Sequence, residues 1–429
     1  MGTRLIFIKP LIVLSVLLFS VGAVAHPFEL YSASPRISAL GGAGTAASND
    51  GYAAYFNPAS LSTSRGAKFT LGFTGASNYF KWGTEELNED ADLPFYGAFE
   101  SSLLYPIPLR GALEKRLALG VLVSLPVKHL VNVTKQDSND IIFPFYNDRV
   151  HRIVAAAGLS ARIFDWLAVG GGLSLLPKVD ADVDVNLSLE KENIYNAAGI
   201  EVGYSLSPVA GILAMPIEWM KIGLSYRRGQ RVAIDLPIIV EDPPARTRVY
   251  IPAFVTPDEV SLGTVFVAPL ALTFVADATY SVYSDYEGAF PHISLLGGET
   301  EKVINEASPD DKGYRNIITP RLGVEWSYVF PIVFRLGGSY RPTPVGEQTG
   351  NDNVMDGDAF IISGGLGLFV GGTREYFPAD FKIDAGGRLI IMRETLSEKE
   401  RFIPDNPGFP RVRAGGEAVS FGASVTVEY

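Results

Sequence analysis

Residues 418–429 read Ala-Val-Ser-Phe-Gly-Ala-Ser-Val-Thr-Val-Glu-Tyr. Val419, Phe421, Ala423, Val425, Val427 and Tyr429 fall on one face of an extended chain, and Ser420, Gly422, Ser424, Thr426 and Glu428 on the other, because successive side chains of a strand point to opposite sides. Such a strand separates an apolar medium from one that tolerates charge. The same division recurs where Leu272, Phe274, Ala276, Ala278, Tyr280 and Val282 oppose Thr273, Asp277, Thr279 and Ser281, and where Leu322, Val324, Trp326 and Tyr328 oppose Arg321, Gly323, Glu325 and Ser327.

Carried along the chain, the rule predicts strands over 67–77, 95–105, 117–130, 152–163, 167–185, 202–214, 219–236, 259–268, 270–286, 320–328, 332–341, 358–369, 381–393 and 418–429, an even number. The spacers alternate: 164–166, 215–218, Pro269 and 329–331 are tight, whereas 131–151, 237–258, 287–319 and 394–417 are long and polar. Soluble β-sandwiches also alternate. Segments of about ten residues or more, short turns at one end, long loops at the other and aromatic residues near the strand ends instead predict an all-β, transmembrane antiparallel barrel of the outer-membrane type.

The 429 residues, with 44 Gly, 28 Pro and no Cys, are too many for one ordinary compact core. The absence of cysteine excludes thiolate catalysis, disulfides and Cys-ligated zinc. His26, His129, His151 and His292 are too dispersed to form a metal centre, and a formal net charge of −11 argues against nucleic acid as a partner. His151 lies between Arg149 and Arg152, with no nucleophile at a spacing that would make it catalytic. The expectation is a non-enzyme without cofactor or resident metal.

Residues 1–25 read as a signal peptide: Arg4 and Lys9 precede the apolar run 11–21, and Ala23-Val24-Ala25 is a small-x-small cleavage site. The mature chain then starts at His26. No later segment is long and apolar enough for a membrane helix. Residues 26–66 are too polar to span and read as loops with a short helix near 37–47, destined for the lumen of a barrel formed by 67–429. A fourteen-stranded ring encloses more space than its own side chains fill, so it needs a plug or becomes a water channel.

Gly41-Gly42-Ala43-Gly44 lacks the preceding strand and following Gly-Lys-Ser/Thr of a phosphate loop, and is assigned to close backbone packing in the plug. Asn57-Pro58-Ala59 reads as a turn. Asp180, Asp182 and Asp184 project from one face of one strand and form either a solvated face or part of a cation site. Pro126 withholds an N–H from the ladder, so Leu125-Pro126-Val127 marks an edge, a bulge or a kink, and reads equally as a side opening in the wall or as a terminal bend near the rim.

Taken together, these residues resemble the FadL-type outer-membrane transporters of long-chain fatty acids and other hydrophobic compounds. His26-Pro27-Phe28-Glu29-Leu30, the Gly/Ala-rich stretch after it and Asn57-Pro58-Ala59 look like that family's N-terminal hatch. Gly313-Tyr314-Arg315, Arg321-Leu322-Gly323, Arg335-Leu336-Gly337-Gly338, Thr343-Pro344-Val345 and the strand from Asp358 to Gly364-Gly365 are similar to it in order and spacing. The resemblance implies a hatch-filled barrel in a Gram-negative outer membrane, capture of substrate by extracellular loops, a hydrophobic pocket beside the hatch and lateral exit through a kinked third strand. It places Phe28 and Leu30 at the pocket and puts Lys178 or Lys312 opposite a substrate carboxylate. The implied partners are hydrophobic small molecules, outer-membrane lipid and lipopolysaccharide, around a monomer. A related barrel that assists secretion or assembly shares the Ala39–Gly44 and Tyr55–Ala59 stretches and is the alternative, with an outer-membrane hydrolase third.

Overall fold

The computed structural model describes residues 27–84, 88–111, 114–128, 140–147, 152–188, 193–242, 245–284, 292–296, 301–303, 313–350, 353–371, 379–400 and 406–429. It is a closed antiparallel barrel of fourteen staves. In chain order these are β1 Lys68–Gly83, β2 Tyr96–Pro106, β3 Leu117–Pro126, β4 Val154–Phe164, β5 Leu167–Ser188, β6 Asn193–Ile217 and β7 Met220–Arg227. The ring continues with β8 Asp258–Ala268, β9 Leu272–Val282, β10 Ile317–Trp326, β11 Ile332–Arg341, β12 Ala359–Val370, β13 Asp380–Glu398 and β14 Arg411–Glu428. β14 pairs back onto β1 from Lys68↔Glu428 to Gly83↔Arg413, which leaves no free edge around the ring. All fourteen expected strands are present.

The expected alternation decides which face each residue takes. Leu71, Phe99, Leu159, Leu262, Leu322, Leu336 and Leu366 point outward and are each more than half exposed. In water every such side chain would forfeit ~1.5–3 kcal/mol of burial, so this surface belongs in a bilayer. Aromatic pairs ring the end with the tight turns: Phe164 stacks on Trp166, Trp219 meets Phe266 edge-on at 5.1 Å, and Phe330 stacks on Phe369. A second, hydroxyl-bearing ring lies near the loops, where Tyr226 and Tyr340 donate to Asp258 and Asp358 and Tyr280 accepts from Asn316.

Several boundaries differ from expectation. β3 stops at Pro126, four residues early, at a residue with no N–H to donate to a ladder. The run 219–236 is two strands, β7 and the outlying Arg231–Asp242, which forms a hairpin with Ala245–Val255. That hairpin pairs in parallel with the distal part of β5, Val185↔Ile238 among others, so 237–258 is largely strand rather than loop. Half of 394–417 is also strand, belonging to the distal ends of β13 and β14. Their charge marks strand standing clear of the apolar band.

The lumen is filled by the N-terminal hatch, 27–66. Its helices α1 Pro27–Tyr31, α2 Pro35–Ala39 and α3 Ala53–Phe56 and the 3-10 turn Pro58–Thr63 are short. The expected helix over 37–47 is only α2, because Gly41 and Gly42 take φ of 72° and 88° and turn the chain out of the helix.

Candidate functional site

The hatch lies so close to the barrel wall that side chains would not fit between them. A Cβ on Gly223 would meet the Thr45 carbonyl at 2.7 Å, one on Gly323 the Leu40 carbonyl at 2.7 Å, and one on Gly365 the Ala39 methyl at 2.7 Å. Gly170, Gly211 and Gly337 are likewise occupied by Ala59, the Asn57 side chain and the Gly41 backbone. Wall glycines from staves all round the ring thus form the seat of the hatch.

Hydrogen bonds fix the seat in orientation. The Asn57 amide donates to the Thr45 and Ile212 carbonyls at 3.0 and 3.1 Å, while its Oδ1 accepts from the Ala59 N–H. The Asn57-Pro58-Ala59 turn therefore caps the 3-10 turn and joins hatch to wall. Asp277 accepts from the Thr45 N–H at 2.8 Å, and Glu325 accepts from both Arg36 of the hatch and Arg335 of β11. Tyr52 donates to Glu100 at 2.8 Å. Burial, with the adjacent Glu100, pushes the Tyr52 phenol well above its ordinary range, which keeps it a donor.

Above the hatch, an apolar cluster fills the lumen. Phe28 packs edge-on against Tyr55 at 4.9 Å and Tyr31 stacks on Tyr96 at 4.9 Å. From the loop end, Phe143, Phe145 and Tyr146 descend into the same cluster against Phe80 and Tyr283. This lid is tied to the segment after β11: the Ile142 N–H donates to the Asn353 carbonyl and the Met355 N–H to the Ile142 carbonyl. Beneath it Arg341 grips Asp356 with two nitrogens at 2.7 and 3.0 Å, and its guanidinium also faces the Phe145 ring.

Two small cavities of about 30 and 20 Å³ lie between the hatch and the barrel wall, bordered by Phe28 and Leu30 respectively and sharing Glu259, Arg321 and Arg388. Each has room for about one water, against roughly 150 Å³ for a benzene-sized guest. A guest of that size could enter only by displacing side chains. The charges here are unequally matched. Arg227 pairs with Glu259 at 3.2 Å and lies over the Tyr55 ring, whereas Arg388, 3% exposed, donates to the Leu30 carbonyl and makes no ion pair among the described residues.

Phe28 and Leu30 thus sit together at the cavities, with Asn57, Pro58 and Ala59 at the wall below. Lys312 lies outside the described residues, and so do the side chains of Lys178, Asp180, Asp182 and Asp184, whose backbones extend β5 past Leu176. Arg388 and Arg321, which the sequence reading did not single out as site cations, border both cavities. The signal was available: Asp384, Gly386, Arg388, Ile390 and Met392 share the inward face of β13. Pro126 points inward opposite Ala98, while Leu125 and Val127 are exposed on the outer face. The β2 side of the ladder continues past the proline, where the Val127 N–H donates to the Gly97 carbonyl. On the β4 side, pairing ends at Ser124↔Val154.

No protein-family model and no curated protein matches the sequence. Solved structures do match, over nearly the whole chain. A FadL homologue of Pseudomonas aeruginosa is similar at 17% identity and a TM-score of 0.56, covering 96% of this chain and 99% of that one. The toluene transporter TodX of P. putida is similar at 14% identity and a TM-score of 0.58, over 92% and 97% of the two chains. The monoaromatic hydrocarbon channel CymD is similar at 16% identity and a TM-score of 0.54, over 96% and 98%. The chain has the fold of the FadL-type outer-membrane transporters.

Proposed function

We propose that the protein is a passive outer-membrane channel for the uptake of hydrophobic molecules, long-chain fatty acids or aromatic and aliphatic hydrocarbons, exported by a cleaved signal peptide and carrying out no enzymatic chemistry. The observation that carries this reading is the continuous apolar cluster from Tyr146 in the lid to Phe28 on the hatch. A pore for polar solutes gains nothing from aromatic packing along its axis, whereas an acyl chain gains ~0.8 kcal/mol for each CH₂ it buries there. The named cargo of the similar channels, toluene and monoaromatic hydrocarbons, is of the same class.

Cargo captured among the loops displaces Phe143 and Phe145, enters beside Phe28 and Leu30, and leaves either past the hatch or sideways where β3 and β4 part above Ser124. A carboxylate at its head takes the place opposite Arg388, since a buried anion without a partner would be strongly destabilised. Cells with and without the protein, given labelled oleate or toluene, test the reading; equal uptake sinks it, and loss of a partner's surface display on deletion would favour the assembly role. Within it, Arg388→Met should weaken binding of oleate about tenfold or more while leaving toluene within twofold. Equal changes for the two would remove Arg388 as the carboxylate partner.

A further inference from the structure

The outer wall carries a second concavity, across the wall from the lumenal cluster, at the loop end of β13, β14 and β1. Between Met392↔Gly416 and Thr395↔Ala414 the β13–β14 register slips, so that Arg393 and Glu394 on β13 stand against Gly415 alone. Gly416 follows at φ 136°. A bulge of this kind bends the strand, and with no side chain on Gly83, Gly415 or Gly416 it leaves a groove of about 770 Å³. Tyr79, Lys81, Glu394, Arg413 and Glu417 line it.

The groove lies at the upper border of the lipid-facing band. Val419 and Phe421, 42% and 51% exposed, continue outward along β14 immediately toward the turn end. A molecule bound there has its head in the groove and its tail on lipid-facing wall. Lys81 pairs with Gly415 and Gly83 with Arg413, which makes Lys81 and Arg413 diagonal neighbours, with backbones roughly 7–8 Å apart. Both long side chains can reach one phosphate. The Lys81–Asp90 pair is highly exposed on both sides and therefore weak, and Arg413 makes no ion pair among the described residues. Glu394 and Glu417 supply acceptors for hydroxyl and amide N–H groups. Three staves span about 10 Å, the width of a disaccharide rather than of a single phospholipid head.

We propose that this groove binds the headgroup of a phosphorylated glycolipid of the outer leaflet, with the phosphate between Lys81 and Arg413, the sugars against Glu394 and Glu417, and an acyl chain along Val419 and Phe421. The site is independent of the uptake reading, and either can fail alone.

Native mass spectrometry of the full chain in detergent, titrated with bisphosphorylated lipid A, dephosphorylated lipid A and phosphatidylglycerol, tests it. The expected result is retention of bisphosphorylated lipid A at least tenfold better than of the other two. Lys81→Gln combined with Arg413→Gln should abolish that preference, and Lys128→Gln, an exposed cation beyond β3, should not. Equal binding of all three lipids, equal binding by the double variant, or the same loss in Lys128→Gln would each overturn the proposal. If the double variant fails to show heat-modifiable barrel migration, the comparison of the two lipid A forms on the unaltered chain decides.

Discussion

Gly337 and Gly41 are almost three hundred positions apart, yet the backbone of one occupies the place where the other would carry a Cβ. Both glycines stood out in the sequence, one within Arg335–Gly338 and one in the Gly41–Gly44 run, but nothing in their spacing says that they face each other. Strand periodicity records which side of a wall a residue takes and carries no information about what stands against it. The same limit hides Arg388: placement relative to a motif, which points to Lys178 and Lys312, is legible in the sequence, whereas the lack of an ion-pair partner across the lumen among the described residues is not. Gly337→Val should unseat the hatch without breaking the barrel, because the valine branch projects into the Gly41 backbone rather than into the β-ladder. Planar-bilayer recordings should then show stepwise ion conductance in the variant and little in the parent. A variant as tight as the parent would mean that the hatch holds its place without this contact.

At the level of elements, the staves were readable because each separates two media, and their ends were not because that contrast fades outside the bilayer. β5 and β6 run 22 and 25 residues, well beyond the ~9–11 needed to span, and the distal end of β5 pairs with an outlying hairpin. Polar composition there, and in 394–417, was mistaken for loop. Pro126, which the sequence marks as an edge, a bulge or a kink, is the last residue of β3. Beyond Ser124, β3 has no pairing with β4 among the described residues. Extending the register one step beyond Ser124↔Val154 sets Leu125 against Ile153, so a disulfide between cysteines at these two positions should close the seam. Lateral release requires that uptake then fall severalfold and recover on reduction, with surface expression unchanged. Uptake indifferent to the disulfide would assign exit to the hatch.

On the scale of the whole molecule, the described residues occupy the lumen from both ends: glycine-seated hatch below, aromatic lid above. The lid hangs on a buried charge pair, and removing one partner of such a pair typically costs ~3–5 kcal/mol. Asp356→Asn should accordingly speed amide hydrogen exchange at Ile142 and Met355, whose N–H groups tie the lid, and raise uptake of a neutral hydrocarbon while the barrel keeps its heat resistance. Unchanged exchange at those two amides would locate the latch elsewhere. The pairing of β14 with β1 bears on a different matter, the order in which the molecule comes into being. Every bond of that seam, from Lys68↔Glu428 to Gly83↔Arg413, joins residues more than three hundred positions apart, so its loop-closure entropy falls due before any of its contacts can form. Neighbouring hairpins can assemble locally; the ring cannot close until the last stave has been delivered. The hatch, attached just ahead of the first stave, must already lie within the curling sheet when the seam shuts, because a finished cylinder with so little clearance offers it no way in.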